Sequence, residues 1–416
     1  MYHYVDHFQT GPGPNQNLLQ AVADTSEAGE HTDQDLHDSD WSEYMSLVDV
    51  PTATTAKFMF SPSHHHLEPS AYTTLAELKK MGSETALLKI LQAECSVIGS
   101  SFTFAGSNRV TVKPSGHQLF AKLTTPAEQV LGEGESLKAM RAAFLTSGQT
   151  GTESLVPHVH ACGEEADGRR AYLVTDWLEL SPRIDRGAQR LLGKRLAYMH
   201  KNGTNKEGKF GFHVPTHCGA TKQDNTWTAS WTEFWGNRRI GDLVRRISAS
   251  RKDSELEQLE EQLRTKYVAS TFLDGQQAEE LQTHERFSSS RVYPILLEPL
   301  EGKITPAILH GDLWSGNAGQ DDATGSPMIF DSSYYGHNEA ELGMMHMFGG
   351  FTADFFDAYH KVLPKFEPHY DQRIQLYELY HHLNHALMFG GSYRGGAISM
   401  MRSLVQYADR SAKAGL

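Results

Sequence analysis

Three polar side chains stand at short intervals in residues 308–319, which read ILHGDLWSGNAG. His310, Asp312 and Asn317 fall in this stretch, and Asp331 follows an apolar run fourteen residues after Asn317. Phosphoryl transfer of the kinase type needs a carboxylate that accepts the proton of the attacking hydroxyl, and an amide and a second carboxylate that hold Mg²⁺. The spacing therefore predicts Asp312 as the catalytic base and Asn317 and Asp331 as magnesium ligands.

The same pattern can arise by chance, because an aspartate and an asparagine five positions apart occur in many loops. The apolar runs AIL and MIF, however, predict a strand on each side of this loop. His310 is interpreted as a residue that braces the loop by hydrogen bonds. A general-base role for His310 is the alternative, and it is disfavoured because Asp312 is the natural proton acceptor.

A kinase-type site also needs a lysine on a central strand and a glutamate on the helix that follows. Lys122 lies in the apolar run LFAKL, where an unpaired ammonium would be costly. Glu133 begins the stretch EGESLKAM and is the predicted partner, with Glu135 as an alternative. Lys122 could instead be the outward-facing residue of an edge strand.

A phosphate-binding loop is less clearly marked. The stretch CSVIGSSFTFAG offers Gly99 and Ser100, but the chain contains neither G-x-G-x-x-G nor G-x-x-x-x-G-K-[ST]. The absence of the second motif disfavours a P-loop NTPase. Gly99 and Ser100 are the candidate residues for contact with the nucleotide.

The predicted secondary structure that would position these residues changes along the chain from a β-rich region to a helical one. Helical spacing predicts helices in 73–81 and 83–94, and residues 101–125 predict a strand followed by a hairpin of RVTVK and LFAKL. A helix, EQVLGEGESLKAMRAAFL, and a strand, RAYLVTDWLEL, complete this region. Helical patterns dominate after about residue 187. The predicted fold class is therefore α+β, with a small β-rich lobe and a larger helical lobe.

The charge of the chain is concentrated at one end. The formal net charge is −13, and residues 1–50 hold ten acidic residues and no Lys or Arg. The net negative charge argues against nucleic acid as a partner. Low-complexity composition predicts disorder for residues 1 to about 70, where the triplet His64, His65 and His66 is a weak candidate for metal binding.

The cysteines and the hydropathy of the chain limit the cellular compartments in which the protein is expected. Cys95, Cys162 and Cys218 are far apart and in no C-x-x-C spacing, so a disulfide framework or a zinc site is not expected. No signal segment or membrane-spanning run is evident. We therefore expect a cytoplasmic protein without a membrane partner. A redox switch at Cys95 and a buried small hydrophobic residue are the two interpretations of that cysteine.

Several blocks resemble the fructosamine kinase family, also called ketosamine 3-kinases. They are HGDLWSGN, YYGHNEAELGMMHMFGGF, KFGFHVPTHCG, GEGESLKAM and YDQRIQLYELYHHLNHALMFG, and the resemblance spans residues from about 84 to 413. It implies a protein-kinase-like two-lobed fold related to aminoglycoside phosphotransferases. It also implies ATP- and Mg²⁺-dependent phosphorylation of the sugar 3-hydroxyl of a ketosamine, on glycated protein lysine or a free amine, which leads to deglycation.

The resemblance carries roles over to matching residues. Asp312 becomes the base, Asn317 and Asp331 the Mg²⁺ ligands, and Lys122 and Glu133 the phosphate-positioning pair. The residues of TDW, which are Thr175, Asp176 and Trp177, become the hinge whose backbone meets adenine.

Two aromatic residues near the predicted site are candidates for substrate contact. Trp314 offers a ring face to a sugar or an alkyl chain, with core packing as the alternative. His213 could reach the substrate, with a structural role as the alternative. The chain departs from the family after Asp331, where DSSYYG stands in place of the Asp-Pro-Ala of many relatives.

The predicted organisation is an acidic extension in 1–80, an ATP-binding N-lobe in 81–178 and a catalytic C-lobe in 179–416. The sequence alone leaves two alternatives to a ketosamine kinase open. One is a related small-molecule kinase for aminoglycosides or choline, and the other is a kinase-fold scaffold that acts through its N-terminal tail. The sequence does not determine the oligomeric state.

Overall fold

The computed structural model describes residues 75–106, 108–146, 154–264 and 292–414. These residues belong to one compact unit, Leu75–Leu416, and residues 1–74 lie outside the described part. The predictions for His64–His66 and for most of the acidic extension therefore fall outside the described residues. Among the described helices, none is long and apolar enough to cross a bilayer.

The first part of the unit is a five-stranded antiparallel sheet with two helices. Its strands are β1 (Ser101–Phe104), β2 (Arg109–Lys113), β3 (Gln118–Thr124), β4 (Val159–Glu164) and β5 (Ala171–Asp176), and its helices are α1 (Leu75–Glu94) and α2 (Ala127–Thr146). The strand order is β1-β2-β3-β5-β4, and each neighbouring pair is antiparallel. The predicted hairpin is confirmed as β2 and β3. The two predicted N-terminal helices are one continuous helix, because the exposed Gly82 does not interrupt it.

Alternating side chains divide the sheet into two faces. Val110 and Val112 of β2 are fully buried and pack with Leu87 and Leu91 of α1, which covers one face. The strand β4 was not predicted, because HACGE lacks a run of apolar residues. It carries a bulge, since Val159 pairs with Thr175 but Ala161 pairs with Val174.

The second part is mainly helical. Its helices are α3 (Arg186–Asn202), α4 (Trp231–Trp235), α5 (Gly241–Ser250), α6 (Ser254–Arg264), α7 (Val292–Leu296), α8 (Leu342–Phe348), α9 (Ala353–His360), α10 (Tyr370–Phe389) and α11 (Ser392–Ala414). A π-helix, Gly236–Ile240, joins α4 to α5. Short strands are β6 (Leu180–Ser181), β7 (His217–Cys218), β8 (Thr221–Lys222), β9 (Ala307–Leu309), β10 (Ala318–Asp321), β11 (Pro327–Ile329) and β12 (Tyr334–Gly336).

The strands around the 308–319 stretch pair differently from a simple hairpin. The runs AIL and MIF become β9 and β11, but they do not pair with each other: β9 pairs with β12, and β11 pairs with β10. The predicted strand RAYLVTDWLEL also divides. It ends as β5 at Asp176, and Leu180–Ser181 joins β10 in the second part. The chain therefore crosses between the two parts directly after Asp176.

Candidate active site

His310 braces the loop between β9 and β10 from inside the protein. Its side chain is fully buried, and Nε2 lies 2.9 Å from the carbonyl oxygen of Phe330. Since Nε2 must donate to that carbonyl, Nδ1 accepts the backbone N–H of Asp312 at 3.2 Å. Both ring nitrogens are thus used within the protein, and this geometry favours the bracing role over the general-base role.

Glu341 is a second brace, which sequence reasoning did not single out. Its carboxylate accepts the backbone N–H groups of His310 at 2.6 Å and Gly311 at 2.9 Å, and it lies 3.3 Å from Nε2 of His200. Gly311 has φ 81°, and a Cβ there would lie 2.5 Å from the ring of Tyr334. Only glycine fits this position, which explains why the chain has no larger residue between the histidine and the aspartate.

The surroundings of the Asp312 carboxylate favour its acceptance of a proton. It is buried, and among the described residues its Oδ1 has no hydrogen-bond partner. A thiol of Cys218 and a ring nitrogen of His381 lie within 4.8 Å of it. Burial raises the pKa of Asp312 to about 6. A carboxyl group with such a pKa is ionised near neutral pH and is a stronger base than an exposed aspartate.

Asn317 and Asp331 offer the hard oxygen atoms that Mg²⁺ prefers. The amide nitrogen of Asn317 donates to the carbonyl oxygen of Asp312 at 2.9 Å, which leaves the amide oxygen for a cation. Desolvation and then the negative charges of Glu133 and Asp312 raise the pKa of Asp331. A cation would relieve this repulsion, so the donor set fits. Asp331 has φ 120°, a strained conformation of the kind found at functional sites.

Lys122 and Glu133 form the predicted ion pair, with Nζ and Oε2 2.5 Å apart. Glu135 instead contacts Lys138 at 2.8 Å and His213 at 3.1 Å. The glycines that flank Glu133 let α2 approach its neighbours closely. A Cβ at Gly132 would lie 2.5 Å from the carbonyl oxygen of Pro215, and one at Gly134 would lie 2.4 Å from the sulfur of Cys162.

The three hinge candidates lie where β5 ends. Thr175 pairs with Phe120 and therefore shares the sheet face of Lys122, whereas Asp176 pairs with Leu119 and points to the opposite face. The backbone N–H of Asp176 donates to the carbonyl oxygen of His158 at 3.1 Å, and that of Trp177 donates to the carbonyl oxygen of Gln118 at 3.2 Å. The N–H groups of Asp176 and Trp177 are therefore used within the protein, and the Thr175 side chain lies on the sheet face of Lys122.

Gly99 and Ser100 lie at the far end of the sheet from Lys122. Ser100 donates its N–H to the carbonyl of Lys113 at 3.0 Å, beside the β2–β3 turn. The β1–β2 turn lies at the other end, since the N–H of Ala121 donates to the carbonyl oxygen of Asn108 at 2.8 Å. The geometry therefore favours the β1–β2 turn for phosphate contact and leaves Gly99 and Ser100 near the hinge.

Trp314 is partly exposed within the loop between β9 and β10. Its ring lies 5.8 Å from that of Phe348, whose side chain is 42% exposed. Phe348 in turn contacts His385, at 5.3 Å between ring centres. Sequence reasoning missed Phe348, although it lies in a block that resembles the family. His213 is exposed, pairs with Glu135 and lines a cavity of about 530 Å³.

Cys95 is part of the core between α1 and the sheet and is 1% exposed. Burial and then the charge of Glu94 raise the pKa of its thiol to about 11. Such a thiol is unreactive, which favours the packing interpretation over the redox switch.

The sequence of this chain is similar to the sequences of known kinases. The family described as fructosamine kinase matches residues 105–407. The chain is 34% identical over 291 residues to the protein-ribulosamine 3-kinase, chloroplastic, of Oryza sativa subsp. japonica, which covers 70% of this chain and 73% of the relative. It is also 34% identical over 305 residues to the ketosamine-3-kinase of Mus musculus, over 69% of this chain and 88% of the relative.

Solved structures share the fold. A putative fructosamine-3-kinase from Thermobifida fusca has a TM-score of 0.53 at 24% identity and covers 74% of this chain and 93% of its own. One from Haemophilus somnus has a TM-score of 0.55 at 18% identity, over 80% of this chain and 99% of its own. The α+β, protein-kinase-like fold class predicted from the sequence is confirmed.

Proposed function

The chain belongs to the fructosamine kinase family, and from this premise we propose that it transfers the γ-phosphoryl group of ATP to the 3-hydroxyl of ketosamines. The observation that carries the proposal is that Asp331 lies within electrostatic reach of both Asp312 and the Lys122–Glu133 pair, and that the Asn317 amide is bonded to the backbone of Asp312. The names of the rice and mouse relatives support the substrate class. The phosphorylated adduct is chemically unstable, so the activity would serve deglycation.

Asp312 acts on the acceptor. Its Oδ1 accepts the proton of the sugar hydroxyl while the hydroxyl oxygen attacks the γ-phosphorus and the bond to the β-phosphate oxygen breaks. His310 and Glu341 hold the loop backbone, so the carboxylate needs no rearrangement during the reaction. The base is then regenerated by loss of the proton to solvent.

Asn317 and Asp331 would hold Mg²⁺ through their side-chain oxygens. Such an ion would supply the positive charge that offsets the negative charge developing on the transferred phosphoryl group. Lys122 would neutralise the α- and β-phosphates, and Glu133 keeps its ammonium in place. The Lys122 face of β5, with Thr175 and the hinge carbonyls, would receive the nucleotide base.

Trp314 and Phe348 would receive the sugar and its carrier. Both rings are accessible and lie next to the loop that holds Asp312. Aromatic faces pack against the apolar side of a sugar and attract a protonated amine. This fits a ketosamine, which joins a sugar to a secondary amine. His213 would contact the carrier amine or protein from the rim.

The finer assignments made from the sequence stay predictions. They are the N-lobe in 81–178, the C-lobe in 179–416, the extension in 1–80, the Mg²⁺ requirement and the cytoplasmic location. The rice relative is named as chloroplastic, so the location of this protein needs its own measurement.

Turnover on a panel of acceptors tests the proposal. ADP release should be measured with ribulosyl-lysine, fructosyl-lysine, kanamycin and choline, each with and without Mg²⁺. We expect release with at least one of the two ketosamines and none with kanamycin or choline. Release with kanamycin or choline alone would overturn the proposal. Asp312→Asn serves as the control for contaminating activity.

A further inference from the structure

A group of histidines surrounds Asp176 on the sheet face opposite to Lys122. His117 lies in the β2–β3 turn, His158 and His160 lie at the start of β4, and Asp176 ends β5. The bulge in β4 leaves His160 without a paired residue on β5. Bulges redirect side chains, and here the imidazole of His160 reaches the Asp176 carboxylate.

One carboxylate oxygen is shared by two imidazoles. Oδ1 of Asp176 lies 2.7 Å from Nε2 of His160 and 3.6 Å from Nε2 of His117. The three donor atoms all lie within 4.8 Å of one another. In a tetrahedral zinc site with bonds of about 2.0–2.1 Å, neighbouring donors are about 3.3 Å apart. Small side-chain rotations would therefore bring the three atoms to bonding distance.

The second carboxylate oxygen is fixed by the backbone. Oδ2 of Asp176 accepts the N–H of His158 at 3.1 Å. Hydrogen bonds of this kind orient metal ligands. Oδ1 is thus presented as a single ligand atom between two imidazole nitrogens.

We propose that His117, His160 and Asp176 form a binding site for Zn²⁺ or a similar borderline divalent cation. Two imidazoles and one carboxylate are ligands that suit zinc, copper and nickel better than magnesium. The side chain of His117 is 46% exposed, so an ion can enter and a water molecule can complete the coordination. In the loaded site His160 carries its proton on Nδ1, because Nε2 supplies the lone pair.

The site joins three segments that meet at the hinge. Gln118, next to His117, accepts the N–H of Trp177, next to Asp176, at 3.2 Å. A cation bound to His117 and Asp176 would therefore link the β2–β3 turn to the crossing between the two parts of the fold. The donor atoms lie on the face away from Lys122, so zinc binding itself does not depend on the proposed kinase activity.

Zinc affinity of the full, untagged chain tests the proposal by competition with a chromophoric chelator. We expect one Zn²⁺ per chain in the tightest site, and an affinity at least about tenfold weaker in His117→Ala, His160→Ala and Asp176→Asn. His117→Ala removes an exposed side chain, so the folded protein should persist. Zinc should raise the melting temperature of the wild type more than that of these variants.

Two matched controls address the other histidines. His158→Ala should keep the affinity, because His158 acts through its backbone N–H. A variant with His64, His65 and His66 changed to alanine should also keep it. Equal affinity in the wild type, His117→Ala and His160→Ala would overturn the proposal. Loss of the tightest site in the triple variant would also overturn it, and an effect of His158→Ala as large as that of His160→Ala would overturn the three-ligand assignment.

Discussion

At the scale of single residues, the candidate site depends on one carboxylate that its surroundings make basic. Asp312 is buried beside two groups that stay neutral, since burial raises the pKa of the Cys218 thiol and lowers that of His381 to about 3. Because neutral neighbours do not stabilise the negative charge of a buried carboxylate, burial raises the pKa of Asp312. The same environment that costs stability supplies a proton acceptor matched to neutral pH.

The pH dependence of turnover should report this carboxylate. As the proposed base, Asp312 must be ionised in the free enzyme, so kcat/KM should rise with pH through a pKa of about 6 and level off above it. A profile from pH 5 to pH 8 with saturating Mg²⁺ measures this limb. A profile already flat between pH 5 and pH 6, in protein that is folded throughout, would contradict the assignment.

The raised pKa also predicts a stability effect. Because the pKa of Asp312 is higher in the folded than in the unfolded state, its favourable contribution is present below about pH 4 and is lost as pH rises through about 6. Asp312→Asn should therefore raise the free energy of unfolding at pH 7, by up to about 3 kcal/mol, while abolishing turnover. Denaturant unfolding of the ligand-free protein measures the change, and a loss of stability would count against it.

Glu341 should matter for turnover in a way that its neighbour Glu339 does not. Glu341→Gln removes the charge that holds two backbone N–H groups of the loop, so kcat should fall by about tenfold to a hundredfold. Glu339 is an equally buried carboxylate that pairs with Arg373 at 2.9 Å, away from the loop. Glu339→Gln should lower the melting temperature but keep kcat near the wild-type value at 25 °C. Equal losses of kcat in Glu341→Gln and Glu339→Gln would refute the proposed bracing role of Glu341.

At the scale of elements, the helix α2 connects the two halves of the site. It carries Glu133 towards Lys122, and the hydroxyl of Ser136 accepts the backbone N–H of Ser333, two residues after Asp331, at 2.8 Å. Gly132 allows this helix to approach Pro215 closely. A shift of α2 would therefore disturb the nucleotide side and the metal side of the site together.

Two glycine-to-alanine changes in helices should have opposite effects. Alanine is intrinsically better in a helix by about 1 kcal/mol, so Gly82→Ala in α1, where no described atom lies within 4 Å of the added methyl group, should be neutral or stabilising. Gly132→Ala should instead lower the unfolding free energy by about 1–3 kcal/mol, because the Pro215 carbonyl blocks the methyl group. It should also raise the KM for ATP. Thermal unfolding and ATP titration of both variants provide the test, and similar behaviour of the two would contradict it.

At the scale of the whole molecule, charge and chemistry belong to different parts of the chain. Residues 1–50 hold ten acidic residues and no basic ones, which leaves 41 acidic against 38 basic residues in 51–416. Every residue of the candidate site lies in the unit Leu75–Leu416. The acidic segment therefore contributes charge but none of the groups proposed for phosphoryl transfer.

Removal of residues 1–74 should leave turnover and thermal stability close to those of the full chain. The reason is that the compact unit Leu75–Leu416 holds the sheet, the helices and the site. Steady-state kinetics and a melting curve of the shortened protein check this. A large loss of kcat with an unchanged melting temperature would instead show that the acidic segment takes part in the reaction.

Local chemistry was largely readable from the sequence. The spacing of Asp312, Asn317 and Asp331 and the apolar strand around Lys122 predicted the candidate site, because phosphoryl transfer requires particular residue types at short intervals. The hairpin of β2 and β3 and most helices were equally predictable, since their apolar periodicity is local. The family resemblance rested on the same blocks.

Only the tertiary structure decided which distant residues support that chemistry. Glu341 braces the loop from 30 residues away, Phe348 joins Trp314, and β9 pairs with β12 rather than with β11. The bulge at His160 and the turn at His117 bring two imidazoles to one carboxylate, and no local pattern marks that meeting. Such contacts depend on strand register and chain crossing, which are fixed by packing across the whole fold rather than by neighbouring residues.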